Sequence, residues 1–320
     1  MAVYTHVSTE EMIAFLHRYD HGTLISAKGI AEGVENSNYL IETSDGRYIL
    51  TLYEKRVNAD ELPFFCALTD HLANKGLNIP RMLGDRRGEQ IQTLAGRPAC
   101  LIEFLSGLSV THPTPAQARA AGESLGDMHR ALGDFRLSRG NSLDLAGWHE
   151  LAERCGDDLD RIDAGLGARV GAELAWLDAH WPRDLPTSVI HADLFPDNVL
   201  MLGDEVSGVI DFYFACTDIR AWDVAVTHAA WSFENDGTGY HADLGSSLIA
   251  GYDRQFGLST EERLAFPILA RGACLRFLLT RAWDWLNTPA DALVTRKDPL
   301  AFLRRLEFYA EADPETLVSI

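Results

Sequence analysis

The chain has 320 residues, 47% hydrophobic and 23% charged, an ordinary globular composition with room for one large domain or two. Acidic residues outnumber basic ones by 47 to 28, and the net charge of −19 argues against non-specific binding to nucleic acid or anionic membrane, which needs basic patches.

The opening residues, MAVYTHVSTEEM, lack a basic stretch followed by an apolar run, so no signal peptide is expected. Ser8-Thr9-Glu10-Glu11 reads as a capping box, with Val7 and Met12 as a hydrophobic staple, and starts a helix running to about Tyr19. Residues 23–54 read as three short strands; Gly29, Gly33 and Asn36 lie between the first two, and Ser44-Asp45-Gly46 turns the second into the third. A helix follows over 58–75 and stops at Gly76, and residues 96–107 give another strand ending in an abrupt glycine turn. From about residue 113 the spacing becomes helical: 115–132, one or two helices in 147–180, then 219–233, 241–255, 260–286 and 298–311. Short strands and turns interrupt this series at 188–215, where the turn Gly203-Asp204 joins two strands. The expectation is an α+β chain of two lobes with a cleft between them: a strand-rich lobe over 1–105 and a mostly helical lobe over 106–320.

Five cysteines, Cys66, Cys100, Cys155, Cys216 and Cys274, are widely spaced with no CxxC, which fits reduced thiols in a cytoplasmic protein. No run of about 18 apolar residues is present, so no membrane helix is expected. There is no internal repeat.

The chemistry concentrates at 191–211, "HADLFPDNVL" followed by "VIDFYFA". Three polar side chains, Asp193, Asn198 and Asp211, interrupt apolar strands where burial would be costly without a purpose. Phosphoryl transfer asks for such a set. A carboxylate must orient the attacking hydroxyl, and a few oxygen ligands must hold Mg²⁺ on the phosphates. Asp193 suits the first role; Asn198 and Asp211, brought together across the hairpin, suit the second.

HxDxxxxN followed by I-D-F resembles the catalytic loop and metal-binding Asp of the protein-kinase-like superfamily. Ala192, where protein kinases carry Arg, points to the aminoglycoside phosphotransferase and choline kinase branch, which usually has Gly there. Further segments, "GIAEGVENSNYLIET" (29–43), "YILTLYE" (48–54), "ELPFF" (61–65), "AWDVAV" (221–226) and "LRFLLTRAWDW" (275–285), are similar to the homoserine kinases of that branch. A Walker GxxxxGK[ST] and the glycine- and serine-rich loop of the other homoserine kinase family are absent.

The resemblance implies a two-lobed protein-kinase-like fold and an ATP- and Mg²⁺-dependent kinase acting on L-homoserine for threonine synthesis. It places ATP under residues 29–38, with Gly29 and Gly33 allowing close backbone approach and Asn36 and Ser37 donating to phosphates. Backbone groups near Glu103 and Leu105 would meet adenine. The Lys expected on the third strand is missing: Thr51 stands there, Lys55 and Arg56 lie further along, and Lys28 is on the first strand, while Glu61 is the candidate for the helix carboxylate. On the acceptor side, Arg276, Thr280 and Asp284 share one helical face, and Leu278, Arg281 and Trp285 share another. Arg276 or Arg281 would take the homoserine carboxylate and Asp284 its ammonium, with Tyr213 and Phe214 lining the pocket; an internal Arg–Asp brace is the other reading of these arginines. His191 and Asp197 read as scaffold of the loop. Asp223 resembles a buried family Asp that holds the loop, and Gly126, Met128 and His129 read as helix packing. The alternatives are a kinase of choline, an aminoglycoside or another amino alcohol, a non-catalytic nucleotide-binding relative, and a metal-dependent hydrolase. The acceptor is expected to be a small molecule, with no nucleic-acid or membrane partner.

Overall fold

The computed structural model describes residues 5–30, 36–54, 58–288 and 296–318. They form two compact units: one holds the described residues to Gly107 together with Ser207–Tyr213, the other Leu108–Val206 and the described residues from Phe214 onward. Asp211 and Tyr213 therefore belong to the first unit.

In the first unit, α1 (Thr9–Leu16) starts at the capping box read from the sequence: the Ser8 side chain accepts from the Glu11 N–H, and Glu11 reaches back to Ser8. Strands β1 (Leu24–Gly29), β2 (Asn36–Thr43) and β3 (Gly46–Tyr53) form an antiparallel meander, with Thr43 opposite Gly46 at the hairpin. A 3-10 turn over Ala59–Glu61 leads into α2 (Leu62–Asn74). Then come β4 (Met82–Leu83), β5 (Gln92–Leu94) and β6 (Arg97–Glu103). The sheet order is β1-β2-β3-β6-β4, with β5 also on β6. The short strands β4 and β5 were not expected, because two or three residues show no periodicity. The core is built from one face of α1 (Met12, Phe15, Leu16) against alternate residues of the sheet (Tyr39, Ile41, Leu50, Leu52, Ala99, Leu101).

The second unit is mostly helical: α3 (Pro115–Ala131), α4 (Leu145–Cys155), α5 (Leu166–His180), then β7 (Thr187–Ile190), β8 (Val199–Leu202) and β9 (Glu205–Val209), of which the end falls in the first unit. β10 (Cys216–Ile219) precedes α6 (Arg220–Trp231), α7 (Ala242–Gln255), α8 (Thr260–Asn287), α9 (Leu300–Glu311) and α10 (Pro314–Val318). β7 pairs with β10, and β8 with β9 in a hairpin whose turn residue Gly203 has φ 64°. α6 is buried on every side from Ala221 to Trp231, so it is the axis of this unit.

Glycines let α3 and α7 touch backbone to backbone. A Cβ on Gly122 would lie 2.0 Å from the Leu248 carbonyl oxygen, and one on Gly251 would lie 2.1 Å from that of Arg119. Gly126 is also close-packed, since a Cβ there would lie 2.7 Å from the Gln255 Cβ and 3.1 Å from the Tyr252 carbonyl oxygen, which fits the packing role expected of it. The five cysteines are free and buried. Among the described residues, no helix is long and apolar enough to cross a membrane.

Candidate active site

β7 ends at Ile190, and the chain then leaves the sheet for the loop that carries Asp193. Ala192 in this loop has φ 63°, a left-handed conformation that costs a non-glycine residue roughly 1–2 kcal/mol. Its surroundings impose that conformation. Asp223 on α6, fully buried, accepts from the His191 N–H at 2.8 Å and from the Ala192 N–H at 2.7 Å. His129 on α3 meets the same carboxylate at 3.1 Å through Nε2. Arg276 on α8 donates to the Ala192 carbonyl. Burial by itself would raise the Asp223 carboxyl, but His129 and the His191 N–H outweigh it and hold the group below the usual carboxylate range.

Beyond Ala192 the loop is tied internally. His191 Nδ1 accepts from the Asp193 N–H at 3.2 Å, and Trp231 Nε1 donates to the Leu194 carbonyl at 2.9 Å. Asn198, in the 3-10 turn Pro196–Asn198, sends its amide nitrogen to the Asp193 carbonyl at 2.8 Å and to Asp193 Oδ2 at 3.2 Å. The Asn198 amide nitrogen is therefore committed to Asp193, and its amide oxygen is the atom of the side chain that can accept or ligate. Asp193 and Asn198 are thus one hydrogen-bonded pair. Asp197 is exposed and bonds Lys297 at 3.4 Å.

Arg281 lies in the electrostatic reach of this loop. Burial draws its guanidinium down to about 10, Arg305 pulls in the same direction, and Asp193, Asp197 and Asp298 oppose them. It stays charged at neutral pH. Its Nη1 donates to the Asp298 carbonyl at 3.2 Å, and its guanidinium lies 4.5 Å from the Phe302 ring. Asp284 is half-buried on the same helix.

In the first unit, Asp211 is exposed and has φ 65°; with Ala192 and Ala95 (φ 49°) it is one of three non-glycine residues in the left-handed region among the described residues. Strain of this kind gathers at functional sites. Gly29 ends β1 opposite Tyr39, and Asn36 opens β2 opposite Tyr53. Glu103 ends β6, where its carboxylate accepts from the Arg81 N–H at 3.0 Å. Leu105 packs against Gly208, where a Cβ would come within 2.5 Å of it. Gly33, Lys55 and Arg56 lie outside the described residues. Thr51 is 2% exposed, and its hydroxyl donates to Asn38 Oδ1 at 2.7 Å, so a neutral buried hydrogen bond fills the strand position expected to hold a lysine.

Three placements depart from the sequence expectations. Ser37 is fully buried; its hydroxyl donates to Glu54 at 2.8 Å and accepts from the Thr5 N–H at 3.0 Å, so it is committed within the unit instead of facing phosphate. The Tyr213 hydroxyl is bonded to that of Tyr53 at 2.8 Å, and burial pushes the phenol's pKa up, so its polar end points into the unit. Arg276 is 2% exposed beneath the loop, where a substrate carboxylate has no access. The sequence also missed His129, read only as packing. The available signal was a histidine on the buried face of α3, since a buried imidazole needs a partner.

The family model for the phosphotransferase enzyme family matches residues 26–266. The chain belongs to this phosphotransferase family. Among its relatives within the family, a homoserine kinase of Zymomonas mobilis subsp. mobilis is 60% identical over 319 residues, 99% of each chain. A homoserine kinase of Xanthobacter autotrophicus is 52% identical over 98% of this chain and 97% of its own. Of solved structures, an amicoumacin kinase in complex with AMP-PNP and Ca²⁺ superposes with a TM-score of 0.70 at 15% identity, covering 96% of this chain and 95% of that one. A spectinomycin phosphotransferase bound to ADP and spectinomycin gives 0.70 at 13%, covering 98% and 100%. At such identities the likeness shows the fold, which is the two-lobed protein-kinase-like one.

Proposed function

We propose that this phosphotransferase moves the γ-phosphoryl group of ATP to the side-chain hydroxyl of L-homoserine, giving O-phospho-L-homoserine. The observation that carries the reading is the 60% identity, over essentially the whole length, to a relative named homoserine kinase. Asp193 is the catalytic carboxylate. It orients the acceptor hydroxyl and takes its proton as the new P–O bond forms and the bond from the γ-phosphorus to the β,γ-bridging oxygen breaks. Its loop is fixed before substrate arrives, which is how positioning lowers a barrier.

The family's chemistry implies a divalent cation. The donor set fits Mg²⁺, a hard ion that takes one or two protein oxygens and leaves its other positions to phosphate and water. The Asn198 amide oxygen, whose partner nitrogen is committed to Asp193, and the exposed Asp211 carboxylate are the proposed ligands. When bound, the ion neutralises phosphate charge. On the nucleotide side, the backbone at Gly29 and Asn36 and the end of β6 at Glu103 and Leu105 are the proposed ATP contacts. Arg281 is the proposed partner of the acceptor carboxylate, because it is cationic and electrostatically coupled to Asp193. Asp284 is the proposed partner of the ammonium.

A panel measurement of ADP release tests this. Turnover with L-homoserine and none with choline or kanamycin is expected, and Asp193→Ala should abolish turnover while ATP binding persists. Turnover of choline or kanamycin in preference to L-homoserine would overturn the acceptor assignment, and near-normal kcat in Asp193→Ala would overturn the mechanism.

A further inference from the structure

The sequence offers Arg276 and Arg281 as equivalent candidates for the acceptor carboxylate, but the structure gives them different surroundings. Arg276 is among the largest fully buried side chains of the protein. Its guanidinium is packed among three aromatic rings: Phe277 at 4.4 Å, Phe214 at 5.0 Å and Trp222 at 5.7 Å. From there it donates to the carbonyl of Ala192, the residue immediately before Asp193.

Ala192 is thus gripped at both ends. Asp223 on α6 takes its N–H at 2.7 Å, and Arg276 on α8 takes its C=O. The anion holds the donor end of the residue and the cation holds the acceptor end. A non-glycine residue does not keep φ 63° of its own accord, so the conformation persists only while both grips hold. Rotation of the 192–193 peptide would break the Arg276 bond and swing the Asp193 side chain.

We propose that Arg276 is a positioning residue: it locks the Ala192 carbonyl and thereby fixes the direction of the Asp193 carboxylate, without touching the acceptor. A planar guanidinium held by rings suits the task, because its donors keep one direction. The inference rests on Asp193 being the reacting carboxylate of the proposed transfer.

The test compares Arg276→Met, Arg276→Lys and Arg281→Met in steady-state kinetics, with hydrogen exchange of the amides between His191 and Asn198. Arg276→Met should lower kcat by about 100-fold, the scale of an ångström of misplacement, with KM for acceptor and ATP within about threefold. Arg276→Lys, which keeps the charge and a donor, should recover about tenfold of that loss. Loop exchange should quicken in the Met variant, and Arg281→Met should instead raise the acceptor KM. A raised acceptor KM with unchanged kcat in Arg276→Met would overturn the proposal, as would unchanged loop exchange. Should the Met variant fail to fold, Arg276→Lys decides: lowered kcat at constant KM supports the proposal, and raised acceptor KM overturns it. The exchange measurement needs no acceptor. A wild-type protein that ignores L-homoserine would therefore sink the acceptor assignment alone and leave the grip to be judged on exchange.

Discussion

Replacing Asp223 by Asn removes one oxygen and one charge from a site with no access to water. In the native protein, Oδ1 accepts from the Ala192 N–H at 2.7 Å, and Oδ2 accepts from the His191 N–H at 2.8 Å and faces His129 at 3.1 Å. The Asn oxygen can keep one backbone donor, but its NH₂ then meets the other N–H donor head on. A hydrogen bond to a charged group contributes about 1.5–3 kcal/mol, and an orphaned buried N–H costs about 1–3 kcal/mol. Allowing for relaxation, the variant should lose about 2–4 kcal/mol, which at about 2–4 °C per kcal/mol for a unit of this size is a Tm drop of roughly 5–15 °C. The loop that carries Asp193 would lose its register at the same time, so kcat should fall on the order of 100-fold. The pH dependence has a definite sign. The folded-state pKa of Asp223 lies below its unfolded value, so its contribution is present above about pH 4 and is lost as pH falls through the folded value. The gap between wild type and variant should therefore be full at neutral pH and close in acid. Thermal denaturation at several pH values together with kcat measures all of this. A Tm change below about 1 °C with kcat within about twofold would refute the claim that Asp223 holds the loop.

Three further variants probe the scaffold. Gly122→Ala puts a methyl 2.0 Å from the Leu248 carbonyl oxygen, and should cost about 1–3 kcal/mol or more as α3 and α7 are forced apart. Gly171→Ala on α5 meets nothing within 4 Å and should be neutral or gain up to about 1 kcal/mol, so equal effects of the two in a denaturant titration would contradict the close packing. Burial holds His228 down to about 3, so the folded state keeps it neutral while the unfolded chain takes a proton below about pH 6.5. Its contribution is therefore lost as pH falls from about 6.5 toward 3, and His228→Asn should flatten that limb by up to about 1.4 kcal/mol per pH unit in stability-against-pH curves.

Much of this protein was legible in its sequence because the relevant signals are local. The capping box at Ser8 and Glu11, the hairpin at Ser44-Asp45, the turn at Gly203 and the periodicity of α3, α6, α7 and α8 each depend on residues a few positions apart. Likewise, "HADLFPDNVL" and "VIDFYFA" contain the Asp193–Asn198 pair and Asp211 within 21 residues. The fate of a polar side chain that sits among apolar neighbours was not legible. Arg276 and Arg281 lie five residues apart in the same arginine-and-aromatic pattern, yet one lies beneath the Ala192 carbonyl and the other is coupled to Asp193. Ser37 turns to Glu54, Tyr213 to Tyr53 and His129 to Asp223, across separations of 17, 160 and 94 residues. The sequence determined which groups are present and the local backbone that bears them. Tertiary structure alone decided which are used up in bracing, because a buried donor or acceptor must be satisfied by whatever the packing brings beside it, and that neighbour is far away in the chain.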